Sequence, residues 1–430
     1  MHPRFQRLLG RNNFSVGLEL PLDNDWSSDG QRLRQIEGRP FGMPDLKQHA
    51  TLARLADQAG FRALWVRDVP VYDPNFGDAA QVFETFSYLG YLAGITQNIM
   101  LGTAAVVLPL RQPWLTLKAA NSIDELSDGR LLLGVASGDR PMEYPLFSVD
   151  YAQRGELFRD AVELLHSQGQ DRLPEGAHLL PQRPEAAPLL VAGLGQQSPA
   201  WIGEHMDGWL AYPGTPDEHR RRVALWREVG GDKPYISFVH LDLAADPHAP
   251  MQRLRFGGCC GRQALIEELQ ALREAGVQHV GLHLRRSERP VAEAIEEIAE
   301  FVLPRFHHAK CAVAGAGRGR GFRLSCRHLA NRAAITTGGT SPACAVRYRQ
   351  RGSGAQPGST AGLQRAPGVY SGSSGGSAIA GVQHRDLTPR GGPQQYSRLR
   401  QPGRLATATS VRRATDELGC IGSAATCAAD

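Results

Sequence analysis

Four short stretches of this chain hold residue types that could do chemistry. The first is Gly193-Leu194-Gly195-Gln196-Gln197-Ser198, which follows the apolar run PLLVAG and precedes a helical pattern. A Gly-rich turn feeding a helix N-terminus frees backbone N–H groups, and with the Ser198 hydroxyl these suit a phosphate. The spacing only partly matches the dinucleotide fingerprint, because Ser198 stands where the last glycine belongs, so a Rossmann site is not expected. The second stretch is Ser137-Gly138-Asp139-Arg140, where another apolar run opens into polar residues. It reads either as an edge for a cofactor ring or substrate, or as a loop whose Asp139 and Arg140 are solvated or paired. Asp68, ending the run RALWVRD, is a site residue or a helix cap. Finally, His279 and His283 share one face of a strand with Arg285, so His283 and Arg285, like Arg140, are candidates for holding a substrate.

Other chemistries find less support. A metal needs a third ligand at suitable spacing, and neither HExxH nor a local carboxylate–histidine cluster is present, so no metal is expected. Glu163 and His166 read as the polar face of a helix. No GxSxG elbow occurs, and Cys259-Cys260 reads as an incidental pair in a loop. The residues alone assign no catalytic acid or base.

The elements that must position these groups alternate along the chain. Strands are expected at Ser15–Leu22, Arg62–Asp68, Ile99–Leu108, Arg130–Ala136, 188–193, 207–212, Tyr235–Leu243 and His279–Arg285. Helical periods follow at Pro44–Ala59, Ala80–Thr96, Pro113–Ser127, Gln153–His166, Pro199–His205, Pro216–Val229, Gly261–Ala275 and Val291–Phe306. Asp23–Gly42 reads as a long loop lying over a site. Eight strand–helix units in about 300 residues favour an α/β fold, a closed (β/α)8 TIM barrel, over a doubly wound open sheet. The site then lies in the loops after the strands.

Charge divides the chain in two. Residues 308–430 carry seventeen basic and four acidic residues, so the whole-chain net of +5 leaves residues 1–307 at −8. All six Trp lie in 1–307, and five of seven Cys lie beyond it. We therefore expect a barrel domain over 1–307 and a low-complexity Gly/Ser/Ala/Arg-rich tail over 308–430, disordered by composition. Two origins for that tail stay open: a genuine basic tail, or translation of GC-rich DNA in a shifted frame. No signal peptide or membrane span is evident, and the body's only cysteines are adjacent, which suits the cytoplasm. The acidic body argues against nucleic acid as a partner.

With these stretches placed, the chain resembles the bacterial luciferase-like family of flavin-dependent monooxygenases and oxidoreductases. The segments that carry the resemblance are AGFRALWVRD (59–68), MLGTAAVVLPLRQP (100–113), DELSDGRLLLGVASGDRPMEYPLF (124–147) and PLLVAGLGQQSPAWIGEHMDGWL (188–210). It spans roughly residues 15–307 and implies a barrel that binds reduced FMN, or in one branch a deazaflavin, at the carboxyl ends of its strands.

Residue by residue, the resemblance implies that Ala104-Ala105 lies beneath the flavin ring, joined in some members by a cis peptide. Ser137 and Gly138 would touch the ring or ribityl chain, and Gly193, Gly195, Gln196 and Ser198 would hold the phosphate, with Tyr151 and Arg154 adding contacts. Asp68 falls among the cofactor-side positions. There are departures. Light-emitting members carry Cys-Arg where this chain has Ala136-Ser137. Many members carry Glu-His-His where it has Asp68-Val69-Pro70, so light emission and aldehyde chemistry are not implied. The expected activity is a monooxygenase using reduced FMN and O2 on a small organic substrate, with a separate flavin reductase as partner and a homodimer left open. A deazaflavin hydride-transfer enzyme and a non-catalytic flavin-binding protein are the alternatives.

Overall fold

The computed structural model of the chain describes residues 1–40, 43–73 and 83–307. The expected tail, 308–430, lies outside these residues, as does part of the loop that follows the second strand.

Eight parallel strands close on themselves. They are β1 (Ser15–Glu19), β2 (Ala63–Val66), β3 (Met100–Thr103), β5 (Leu131–Ala136), β6 (Leu189–Ala192), β7 (Gly208–Leu210), β8 (Tyr235–Leu243) and β11 (His279–His283). Each pairs with the next, and β11 pairs with both β8 and β1, which closes the ring. This is the (β/α)8 barrel expected from the alternation. The helices α3 (His49–Ala59), α4 (Thr85–Ile95), α5 (Pro113–Leu126), α6 (Arg154–Ser167), α7 (Pro199–His205), α8 (Pro216–Gly230), α9 (Arg262–Glu274) and α10 (Val291–Glu297) follow the strands in turn. The last continues through a π-turn over Ile298–Val302 into α11 (Leu303–Phe306).

Two hydrophobic layers follow from strand alternation. Val16, Leu18, Leu64, Leu101, Leu133, Val191, Val280 and Leu282 face outward into the helices. Ala63, Trp65, Met100, Leu132, Leu190, Leu210, Ile236 and Phe238 fill the barrel itself. An N-terminal helix, α1 (Pro3–Leu9), joins the inner layer by adding Phe5, Leu8 and Leu9. Nothing in its short sequence marked it as a plug for the barrel.

The inner layer is tightly filled around Trp65. A Cβ on Gly102, in register with Trp65 on the next strand, would sit 2.3 Å from the indole. Trp65 cannot yield easily, since its Nε1–H donates to His279 Nε2 at 2.9 Å and the ring is fully buried. Gly102→Ala is therefore expected to cost about 1–3 kcal/mol by overpacking. Chemical denaturation should show a lower midpoint, and an unchanged one would mean that the barrel interior has room to spare.

Three differences from the sequence reading bear on the site. The apolar run Ile99–Leu108 is not one strand: the ladder stops at Thr103 and resumes as β4 (Val106–Val107), with a cis Ala104-Ala105 peptide between. The stretch Asp23–Gly42 is not wholly loop, because Ser27 caps a helix, α2 (Ser28–Ile36), by accepting from Gly30 N. The loop holding Cys259-Cys260 forms β9 (Gln252–Leu254) and β10 (Gly257–Cys260), an antiparallel pair whose β10 extends the sheet beyond β8. Both cysteines are unpaired, and burial pushes the Cys259 thiol up to about 11. Neither is activated as a nucleophile.

Candidate active site

The sequence-derived residues converge at the carboxyl ends of the strands, the end where barrels of this kind place ligands. Ala104, Ala105 and Ala192 pack on top of the inner hydrophobic layer and form a small apolar floor. Asp68 does not project freely. Its Oδ1 accepts from Thr85 Oγ1 (2.8 Å) and Arg111 Nη2 (2.7 Å), and its Oδ2 from Val107 N (2.9 Å) and Arg111 Nε (3.1 Å). It thus ties the segment after β2 to the chain just beyond Ala104-Ala105, as a buttress for the floor.

After β5, Ser137 is buried and its carbonyl accepts the hydroxyl of Tyr144. Gly138 has φ +80°, and a Cβ there would lie 2.4 Å from the Tyr144 oxygen and 2.7 Å from Val107 Cγ1. Only glycine fits that backbone against both walls. Tyr144 in turn meets Tyr151 edge-on, with ring centroids 4.9 Å apart, and the Arg154 guanidinium lies 3.8 Å over the Tyr151 ring. Ser137, Gly138, Tyr151 and Arg154, separate in sequence, therefore form one run of contacts, with Tyr144 as the link that local patterns did not single out.

That run reaches the Gly-rich turn. Gly193, Gly195 and Gln196 all have positive φ. Nothing stands within 4 Å of where a Gly193 Cβ would be, whereas Gly195 is backed by Phe158. Ser198 caps α7 by accepting from Trp201 N at 3.2 Å, leaving its own hydroxyl hydrogen to donate. Gln197 Nε2 donates to the Gly155 carbonyl at 2.7 Å, and the Gly155 Cα side abuts Gln196, so this turn sits beside the start of α6. Arg154, one residue before Gly155, has a buried Nε with no hydrogen-bond partner. A turn with left-handed residues, a helix N-terminus and an arginine donor left unmet is the chemistry of an anion cradle. The residues present fit a phosphate-bearing cofactor there.

Of the three substrate candidates, two are held by carboxylates. Arg140 lies 3.7 Å from Glu143, and burial raises the Glu143 carboxyl above its usual range despite that cation. Arg285 is fully buried, its Nε donating to Asp23 at 2.6 Å and its Nη2 reaching Asp25 at 3.4 Å. It anchors the segment after β1 over the barrel mouth, where Trp26 lies 5.2 Å from the guanidinium. His283 is the third, and it faces the mouth with neither ring nitrogen hydrogen-bonded. His279, on the same face but deeper, is a core histidine: Nδ1 lies 2.7 Å from Ser15 Oγ and Nε2 accepts from Trp65. Glu19 and His240 join His283 at the mouth, and sequence spacing did not reveal them. The one available signal was their inward parity, at the end of SVGLE and within YISFVHLDL.

Burial holds several histidines neutral, with His279 pushed down to about 3 and His219 and His307 to about 4. His307 accepts the Val16 N–H through Nε2 at 3.0 Å, a bond that a proton there would abolish. A histidine whose folded value lies below its unfolded one contributes stability above the unfolded value of about 6.5, and loses it as pH falls toward the folded one. The melting temperature is therefore expected to drop steadily between pH 6.5 and 4. A calorimetric scan that is flat across that window would rule the neutral-histidine account out.

The closed ring of eight parallel strands with helices outside it defines a (β/α)8 protein, with the grouped residues at the carboxyl end of its strands. The chain belongs to the luciferase-like monooxygenase family, whose model matches residues 24–318. An uncharacterised protein of Mycobacterium tuberculosis is 27% identical over 230 residues, spanning 46% of this chain and 79% of that protein. Among solved structures, an F420-dependent secondary alcohol dehydrogenase in complex with an F420-acetone adduct superposes with TM-score 0.54 at 16% identity, covering 68% of this chain and 99% of that one. The oxygenating constituent of 3,6-diketocamphane monooxygenase from Pseudomonas putida, a type II Baeyer-Villiger enzyme in complex with FMN, gives TM-score 0.53 at 13% identity over the same shares. At such identities these structures are similar in fold. Among the described residues, no helix is long and apolar enough to cross a membrane.

Proposed function

We propose that the chain is a flavin-dependent monooxygenase that uses reduced FMN and O2 to oxidise a small organic substrate. The observation that carries this reading is the cradle formed by Gly193–Ser198 and Arg154, joined through Tyr151 and Tyr144 to Ser137-Gly138. It would hold the terminal phosphate, while Ala104-Ala105 and Ser137-Gly138 would hold the ring system. The bound reduced flavin supplies the electrons for splitting O2, one oxygen atom going to the substrate and the other to water. The chain's own residues bind and orient, and the segment after β1, tied down by Arg285, limits access of water to the mouth. A separate flavin reductase that delivers reduced FMN, and a homodimer, belong to the same proposal.

Anaerobic titration of the full chain with reduced FMN, and in parallel with a reduced deazaflavin, tests it. Saturable FMN binding followed by substrate-dependent O2 uptake is the expected result. Binding of the deazaflavin alone would replace the oxygenase by a hydride-transfer enzyme like the F420-dependent neighbour. If neither cofactor bound saturably, the flavin reading would be lost altogether.

A further inference from the structure

One group at the barrel mouth is left unused by the flavin reading. Glu19, the last residue of β1, pairs in register with His283, the last residue of β11, and His283 pairs in register with His240 of β8. In-register residues on neighbouring parallel strands point to the same face, so three adjacent strands each send one side chain inward from one level. All three are buried, and a ligand atom of each lies within 4.8 Å of the other two. The two imidazoles stack with centroids 4.4 Å apart at 24°, and Trp26 covers them at 5.0 Å from His283 and 5.9 Å from His240.

His283 is the informative member. It is 1% exposed, yet neither of its ring nitrogens has a hydrogen-bond partner. Four residues earlier on the same face, His279 uses both of its nitrogens. Buried polar groups are nearly always met by something. Each neutral imidazole offers one ring nitrogen with a lone pair, and no hydrogen bond to His283 uses it.

We propose that Glu19, His240 and His283 bind a divalent first-row transition-metal ion. Donor atoms at most 4.8 Å apart leave a point within about 2.8 Å of all three, and reaching the usual 2.0–2.2 Å requires the two stacked imidazoles to tilt until their in-plane lone pairs converge. Two imidazoles and one carboxylate suit zinc, iron, cobalt or nickel, and not magnesium or calcium, which take oxygen ligands. Burial holds His283 neutral, the form that ligates. The charges around the site set its limits. Arg67 competes for Glu19, with Nε 2.6 Å from Oε1, while Arg285 is offset by Asp23 and Asp25. Removing the Arg67 charge should therefore tighten binding, an effect that a merely structural histidine cluster would not produce.

Cobalt(II) alone is the probe, added to the metal-stripped full chain in which the five cysteines beyond residue 307 are replaced by serine. Saturation at one equivalent, with visible ligand-field bands, is expected. The affinity should fall at least about tenfold in His283→Asn and His240→Asn, and rise in Arg67→Gln. The absence of saturable binding, or binding that His283→Asn and Arg67→Gln leave unchanged, overturns the proposal. Near-UV circular dichroism checks the fold of each variant, and if His283→Asn is misfolded, Arg67→Gln decides alone. No flavin enters the assay, so its outcome is independent of the proposed oxygenase activity.

Discussion

Asp68→Ala is expected to cost the fold about 3 kcal/mol and to weaken flavin binding at the same time. Breaking a buried ion pair from one side costs about 3–5 kcal/mol, because the surviving charge stays buried without its partner. The lower end applies here: Arg111 is about one-fifth exposed and keeps Glu84 at 2.8 Å. The carboxylate also accepts the Val107 N–H, a bond that is lost with the side chain. The segment just beyond Ala104-Ala105 would lose its tie to the end of β2, so the apolar floor those alanines form should loosen. Urea denaturation and FMN titration give the two readouts. A loss below 1 kcal/mol would mean that the Arg111–Asp68 contact is replaced by solvent without penalty. The double variant Asp68→Ala/Arg111→Met should recover part of the loss, since it removes the stranded charge as well.

Arg154→Met should raise the dissociation constant for FMN by about 10- to 100-fold, matching the 1.5–3 kcal/mol carried by a hydrogen bond to a charged group. Methionine keeps an apolar stem against the Tyr151 ring, so lost packing contributes little. Riboflavin, which lacks the phosphate, is the control that separates the explanations. If Arg154 meets the phosphate, riboflavin affinity stays unchanged in the variant. Equal losses for both flavins would place Arg154 at the ring or in the scaffold, and no loss for either would leave its buried Nε without a function.

How much of this could be read from residues alone varies with the range of the interaction. Asp68 shows the boundary well. Its position at the end of a strand was legible, and both readings of it, site residue or helix cap, were local ones. Its actual role is to join three segments, with Thr85, Val107 and Arg111 as donors. Arg285 was legible as inward-facing and was expected to meet a substrate. Asp23 and Asp25, some 260 positions earlier, pair with its Nε and Nη2, contacts that no local pattern shows. The shape of the Gly193–Ser198 turn, with left-handed Gly193 and Gly195 and Ser198 as N-cap, is legible in the sequence because φ preferences of glycine and the N-cap habit of serine act within a few residues.

The amino-acid sequence by itself determined the barrel and its strand order, since period-2 and period-3.6 patterns and short turns are properties of neighbouring residues. It also determined the family through segments whose residues lie together in the chain. Only the tertiary structure decided which polar groups are already satisfied. It shows His279 consumed by Ser15 and Trp65, Arg140 set against Glu143, and His283 left bare beside Glu19 and His240. The two neighbours of His283 that local spacing did not supply, Glu19 and His240, come from two other strands, brought level by the closing of the barrel. Closure of a sheet is a long-range event, and the register between β1, β8 and β11 exists only once the ring is complete.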